Sequence, residues 1–230
     1  MSGKLSTKDI KVGGGGTPKT LQPGNEVCTI NSVELRPFKF KKDGYEFIIN
    51  MEGPDLGSSF DGFSIDRNNA SLGKHKGQVG TVKASQWAFA DSTTKTGILI
   101  YRDQEILKFM KNLCVALDKV SWLSAQDDKH DTIESLINAF NKEAPFKDIK
   151  LNCCLAGKEY INKGGYPNFE LFFPKFSKIG VPFENEKATP SKVFIFNNSE
   201  HIIKKKIDNV SSFGDDSVDA PSVDDAGFQL

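Results

Sequence analysis

A mainly β chain with a helical insert, closed as a five-stranded Greek-key barrel, is the fold this sequence predicts. Three observations carry that reading. Five segments between residues 26 and 174 have strand patterning. Two amphipathic helical periodicities fall between the third and fourth of them. The length of 230 residues with 38% hydrophobic content supports one sizeable core.

Residues 1–23 are rich in Gly, Ser, Thr and Lys, with Gly13–Gly16 in succession, a composition that predicts a flexible arm. Order is expected from residue 24. The segment 26–35 alternates, placing Val27, Thr29, Asn31, Val33 and Leu35 on one side of a first strand. A turn built on Pro37 and the Asp43-Gly44 pair leads to a second strand over 44–52, which is rich in aromatic and β-branched residues. Residues 53–77 hold too many Gly, Asn, Asp and Ser residues for regular structure throughout, and strand character returns over 80–90.

In the next stretch Ile106, Met110, Leu113, Leu117 and Val120 recur at three- and four-residue steps, predicting a helix with Asp103 as its N-cap. A second helix is predicted over 131–144. Asp131 and Glu134 have the spacing of a capping box there, and Ile133, Leu136, Ile137 and Phe140 form the apolar face. Extended character follows over 148–157 and 168–174, with a short extra strand expected at 192–196. Three strands, a two-helix insertion and two strands is the order of an OB-fold, which places the barrel domain over 24–206.

Charge is distributed unevenly. The chain has 30 Lys plus Arg and 30 Asp plus Glu, but no base follows Lys206, while Asp208, Asp215, Asp216, Asp219, Asp224 and Asp225 do. The body therefore has a surplus of six positive charges, and residues 207–230 form an acidic tail expected to be disordered. A basic body with an acidic end fits a polyanion ligand; it fits equally a tail that only keeps the protein dispersed. The opening residues lack an apolar signal run and no stretch reaches the ~20 residues of a membrane span, so a cytoplasmic protein without membrane contact is expected. Cys28, Cys114, Cys153 and Cys154 lack C-x-x-C spacing and are expected to be buried free thiols.

An OB-fold binds oligonucleotides on its second and third strands and on the loops joining strands 1 to 2 and 4 to 5. The first of those loops places Phe38 and Phe40 among Arg36, Lys39, Lys41 and Lys42. The second interleaves Tyr160, Tyr166 and Phe169 with Lys158 and Lys163, beside the pair Gly164 and Gly165. Lysines neutralise phosphates and an exposed ring stacks on an unpaired base, so these are the candidate DNA-binding residues, with Trp87 of the third strand as a further platform. The alternation of residues 38–41 is equally that of a strand with its rings in the core, and a core position suits Trp87 too.

Enzymatic readings have less behind them. Gly13–Gly16 is not followed by Lys-Ser/Thr, so there is no phosphate-binding loop, and His75, His130 and His201 lack zinc spacing. Asp55, Asp61 and Asp66 could gather a magnesium ion as a nuclease would, but turn chemistry already accounts for them. The expectation is a non-catalytic protein with no cofactor and no metal.

Taken together, the basic aromatic-lined barrel and the acidic, Pro-containing tail with Phe228 near its end resemble the single-stranded-DNA-binding proteins of bacteriophages and bacteria. The resemblance is one of architecture over residues 24–230. It implies a protein that coats single-stranded DNA in replication, recombination or repair, and a tail whose Asp215, Asp216, Asp219, Asp224, Asp225 and Phe228 recruit replication or recombination proteins. Gln229 and Leu230 after Phe228 depart from the aromatic end of the phage members. A strand-annealing mediator, or a virion protein with an acidic contact arm, fits the same features, and a homo-oligomer is compatible with all of them.

Overall fold

A computed structural model of the chain describes residues 20–55, 77–165 and 167–204. Along the chain these form β1 (Gly24–Pro37), β2 (Tyr45–Asp55), β3 (Gly77–Lys83), β4 (Ser92–Thr93), β5 (Leu99–Ile100), α1 (Arg102–Ala116), α2 (Val120–Ser124), α3 (Ile133–Glu143), β6 (Lys150–Ile161), β7 (Pro167–Phe172), β8 (Phe183–Asn185), α4 (Asn198–His201) and β9 (Ile202–Ile203).

β1 pairs twice. Its first half, Gly24 to Thr29, lies antiparallel to β6, and its second half, Thr29 to Pro37, lies antiparallel to β2. β2 pairs with β3, β3 runs parallel to β7, and β7 returns to β6, so the circuit β1-β2-β3-β7-β6-β1 closes. Five strands closed in this order make a barrel of OB-fold connectivity. The register of β1 shifts between Ile30 and Ser32, a bulge that bends the strand from one neighbour to the other.

The bulge corrects the expected face of β1. Cys28 and Ile30 point into the core before it, and Val33 and Leu35 pack there after it, so Val27 is exposed rather than aligned with Val33. One extra residue exchanges even for odd positions. Where β1 has left β6, Asn141 of α3 supplies the missing partner: Val33 N–H donates to its Oδ1 at 2.9 Å and its Nδ2 donates to the Val33 carbonyl at 2.7 Å.

Both ends of the barrel are filled. At one end α1 inserts Ile106, Phe109, Met110 and Leu113. The Phe109 ring lies 5.2 Å from Phe47 and 5.6 Å from Phe183, centroid to centroid. At the other end Leu21 enters the core, its N–H donating to the Val79 carbonyl at 3.1 Å. Gly53 and Gly80 make room for it, since a Cβ on either would stand 2.7 Å from the Leu21 side chain. The arm expected over residues 1–23 therefore gives way to the fold by Thr20, because a lone leucine in a polar stretch carries no periodicity to announce its burial.

Other boundaries differ for local reasons. β3 ends at Lys83, well short of residue 90, because the chain bends at Ser85. The insertion holds three helices among the described residues, α2 being a single short turn. Asp103 does not cap α1: its carboxylate accepts from Arg102 Nε at 2.7 Å, and Tyr101 occupies the cap. Thr132, not Asp131, caps α3, its hydroxyl accepting from Ser135 N–H at 3.2 Å. Residues 192–196 form no strand; Val193 makes one bridge to Val181, and Asn25 holds Phe194 and Phe196 by their backbone.

All four cysteines are buried and free, and burial pushes the Cys114 thiol up to about 12 and the Cys154 thiol up to about 11. No helix of the described residues is long and apolar enough to cross a membrane.

Replacing Asn141 with Leu removes both bonds to Val33 and leaves its N–H and carbonyl without partners. A loss of roughly 1–3 kcal/mol in denaturant unfolding is expected, with the barrel retained.

Candidate nucleic-acid interface

Strand alternation turns one set of side chains out of the barrel, and on that outer wall charges alternate from strand to strand. Arg36 on β1 is opposite Glu46 on β2, and Glu170 on β7 is opposite Lys158 on β6. Lys83 on β3 stands between them and forms ion pairs with both Glu46 and Glu170. Arg36 pairs with Glu34. Burial lowers the pKa of Lys83, but hydrogen bonds and attraction from Glu170 and Glu46 outweigh it, and the net direction is upward. Arg36, Lys83, Lys158 and Glu170 wall an open hollow of about 610 Å³ that also takes in Tyr160 and Phe169.

The hairpin joining β1 to β2 differs in its electrostatics. Phe38 N–H donates to the Gly44 carbonyl at 2.8 Å and Gly44 N–H to the Lys41 carbonyl at 3.1 Å, with Asp43 at a φ of 58°. This tight turn projects Phe40, 89% exposed, with its ring 5.6 Å from that of the half-buried Phe38. The alternation that would bury both rings therefore fails at Phe40, because the strand has ended and the turn aims the ring at solvent. Lys39, Lys41 and Lys42 surround it, exposed and without an ion pair among the described residues.

Arg102, at the start of α1, holds this hairpin to the insertion. Its guanidinium lies 4.7 Å from the centroid of the Tyr45 ring and donates to the Asp43 carbonyl at 3.0 Å, while its backbone N–H donates to Asp91 at 2.7 Å. Hydrogen bonds to Asp103, opposed by burial, raise its pKa further. Tyr45 and Phe89 exchange backbone hydrogen bonds of 2.8 and 2.7 Å, so the chain after β3 rejoins the hairpin there. Two residues earlier is Trp87, 72% exposed, in a bend rather than in a strand or the core.

The structure thus divides the candidate residues. Arg36, Lys158, Tyr160 and Phe169 meet at the hollow, whereas Phe38, Lys39, Phe40, Lys41 and Lys42 meet at the hairpin. Lys158, Tyr160 and Phe169 stand on β6 and β7, not in a loop: the strands extend to Ile161 and from Pro167, leaving a connection of 162–166. Gly165 N–H donates to the Asn162 carbonyl at 2.9 Å in that turn, and Gly165 adopts a φ of 81°. Lys163 is exposed beside it, while Phe169 is half-buried against the core. Tyr166 lies outside the described residues, as do His75, Asp61, Asp66 and the tail residues Asp215, Asp216, Asp219, Asp224, Asp225 and Phe228.

Sequence reasoning missed Glu46, Lys83 and Glu170, which decide the charge of the hollow, and Tyr45 and Arg102, which brace the hairpin. Cross-strand register creates the first set and a tertiary contact the second. The one local trace is Lys83 in phase with Thr81 on β3. Among the described residues no three His, Cys, Asp or Glu side chains gather closely enough to hold a metal ion. Comparison of the chain with protein-family models, with curated proteins and with solved structures finds no match in any of the three.

Lys83→Met leaves Glu46 and Glu170 facing one another without their cation. A stability loss of roughly 1–3 kcal/mol is expected at neutral pH. A lysine with a raised folded pKa contributes stability present below its unfolded value and lost as pH rises through the folded one. The wild type should therefore converge on the variant above the ordinary lysine value of 10.5, as followed by urea midpoints across alkaline pH.

Proposed function

We propose that the protein binds and coats single-stranded DNA without catalysis, gripping the backbone at the β1–β2 hairpin and holding bases over the adjoining barrel wall. The observation that carries this reading is Phe40, a bare aromatic ring among three lysines that have no acidic partner among the described residues. An exposed ring of this size loses free energy to water unless something covers it, and unpaired ammonium groups lose none by meeting phosphate. A base stacked on the ring and a backbone passing the lysines satisfy both at once.

The barrel wall suits a different share of the ligand. Its cations are largely answered by Glu34, Glu46 and Glu170, so phosphates gain little there. Polar edges and half-open rings such as Thr81, Asn168 and Tyr160 suit bases instead. Tyr160 accepts from Asn168 Nδ2 at 3.2 Å, which orients both across the wall.

β9, the last described strand, runs parallel to β6 at Gly157 and Lys158, and Lys158 lines the hollow, so the acidic segment is tethered to a strand next to it. Six acids on that tether compete with DNA for the lysines and, once displaced, are free to engage replication or recombination partners.

Anisotropy of a labelled oligo-dT against a duplex of equal length, in EDTA and at two salt concentrations, tests the reading. The single strand should be preferred, with affinity falling as salt rises; equal binding of duplex, or none, refutes it. Phe40→Ala should weaken binding by roughly tenfold or more. Replacing Lys39, Lys41 and Lys42 with Gln should flatten the slope of log affinity against log salt by about 2. In a separate experiment, deletion of residues 207–230 should tighten binding without flattening its salt dependence, and unchanged or weaker binding would exclude self-competition.

A further inference from the structure

Between β3 and α1 the chain exposes more large apolar surface than its length explains. Trp87 is 72% exposed, Ile98 63%, Leu99 60% and Tyr101 49%. The β4–β5 hairpin that carries two of them forms a separate two-stranded sheet, folded on its own turn by Thr94, whose N–H donates to the Ile98 carbonyl at 2.8 Å. Nothing in the barrel core requires these side chains. Local composition does not account for them either, since Asp, Ser and Thr fill the neighbouring positions 91–94.

Their placement is fixed by the brace already described. Phe89, two residues after Trp87, pairs with Tyr45 at the foot of the β1–β2 hairpin. Tyr101 immediately precedes Arg102, which is bonded to the Asp43 carbonyl of that hairpin and stacked on Tyr45. The segments that carry Trp87 and Tyr101 are therefore tied, through Phe89 and Arg102, to the hairpin that carries Phe40. Two of the acids in these segments are already engaged, Asp91 by the backbone N–H of Arg102 and Asp103 by its guanidinium, while Lys39, Lys41 and Lys42 have no ion pair among the described residues.

We propose that Trp87 and Tyr101 form a second base-stacking platform, so that a bound single strand continues from Phe40 off the barrel wall and over the barrel end onto the insertion. The inference rests on the hairpin being a single-strand site. It adds the direction of the strand and residues outside the wall and the two loops where a barrel of this kind binds. Stacking on exposed rings needs no base-specific hydrogen bond, which suits a ligand that is coated rather than read. The apolar surface of Ile98 and Leu99 would lie against the sugars and bases of the same segment.

The chain has two tryptophans, and Trp122 is held apart, its Nε1 donating to Glu143 at 2.6 Å and its ring against Phe140 at 5.2 Å. In full-length Trp122→Phe protein, Trp87 alone reports. An oligo-dT series of increasing length is titrated, with anisotropy of a dye on the DNA and emission of Trp87 followed together. Quenching of Trp87 is expected on oligonucleotides long enough to reach it and not on the shortest that bind. Trp87→Ala and Tyr101→Ala should each weaken binding of the long oligonucleotides by roughly tenfold while leaving the shortest unaffected, and Trp87→Phe should restore most of the loss. Binding seen by anisotropy with unquenched Trp87, or with both alanine variants at wild-type affinity, overturns the platform and leaves the hairpin site standing. No binding by either signal overturns the hairpin reading, and the platform with it.

Discussion

The double pairing of β1 is the constraint on which the rest of the molecule depends. One strand must satisfy β6 and β2 in succession, and a continuous pleat cannot do this without turning its side chains to the wrong wall. The bulge between Ile30 and Ser32 resolves the conflict: it bends the strand and exchanges the inward positions, so that Cys28 and Ile30 face the core before it and Val33 and Leu35 after it. Closure leaves Val33 with no strand on its free side, and Asn141 fills that position with an amide that imitates a neighbouring backbone. The helical insertion is thereby fastened to the barrel at the same point where the barrel is closed.

From this closure the surface acquires two electrostatic characters. On the wall, neighbouring strands bring opposite charges into register, and Lys83 is spent on Glu46 and Glu170. At the hairpin tip, among the described residues, there is no neighbouring strand, and Lys39, Lys41 and Lys42 meet no carboxylate. Paired charges are expensive to recruit for a ligand because their partners must be left behind, whereas unpaired ones lose only counterions. The tip is accordingly the electrostatically open region of the surface, and the wall the self-compensated one. Arg102 keeps the two regions in one frame by joining the tip to the first turn of α1.

Much of this organisation was legible in the sequence. The order of three strands, helices and two strands is a statement about hydrophobic period, and period is local. Phe38, Phe40 and their lysines were legible as a group for the same reason, since they lie within seven consecutive residues. What period could not supply was the identity of the capping residue at α3, where Thr132 and Asp131 are equally suited by type. Nor could it supply the burial of Leu21, which depends on Gly53 and Gly80 lying across the barrel end. Trp87 was ambiguous because an aromatic ring after a strand pattern reads as core until the bend at Ser85 is seen.

By itself, then, the sequence determined the fold class, the position of the insertion, the concentration of base and aromatic residues at residues 36–42, and the separation of an acidic end from a basic body. Each of these depends only on residues near one another in the chain. The tertiary structure alone decided which lysines are free. Whether Lys83 or Lys41 meets a carboxylate depends on what closure brings opposite it, and that partner is 37 residues away for Lys83 and absent for Lys41 among the described residues. Charge is written in the sequence, but its availability is a property of the register.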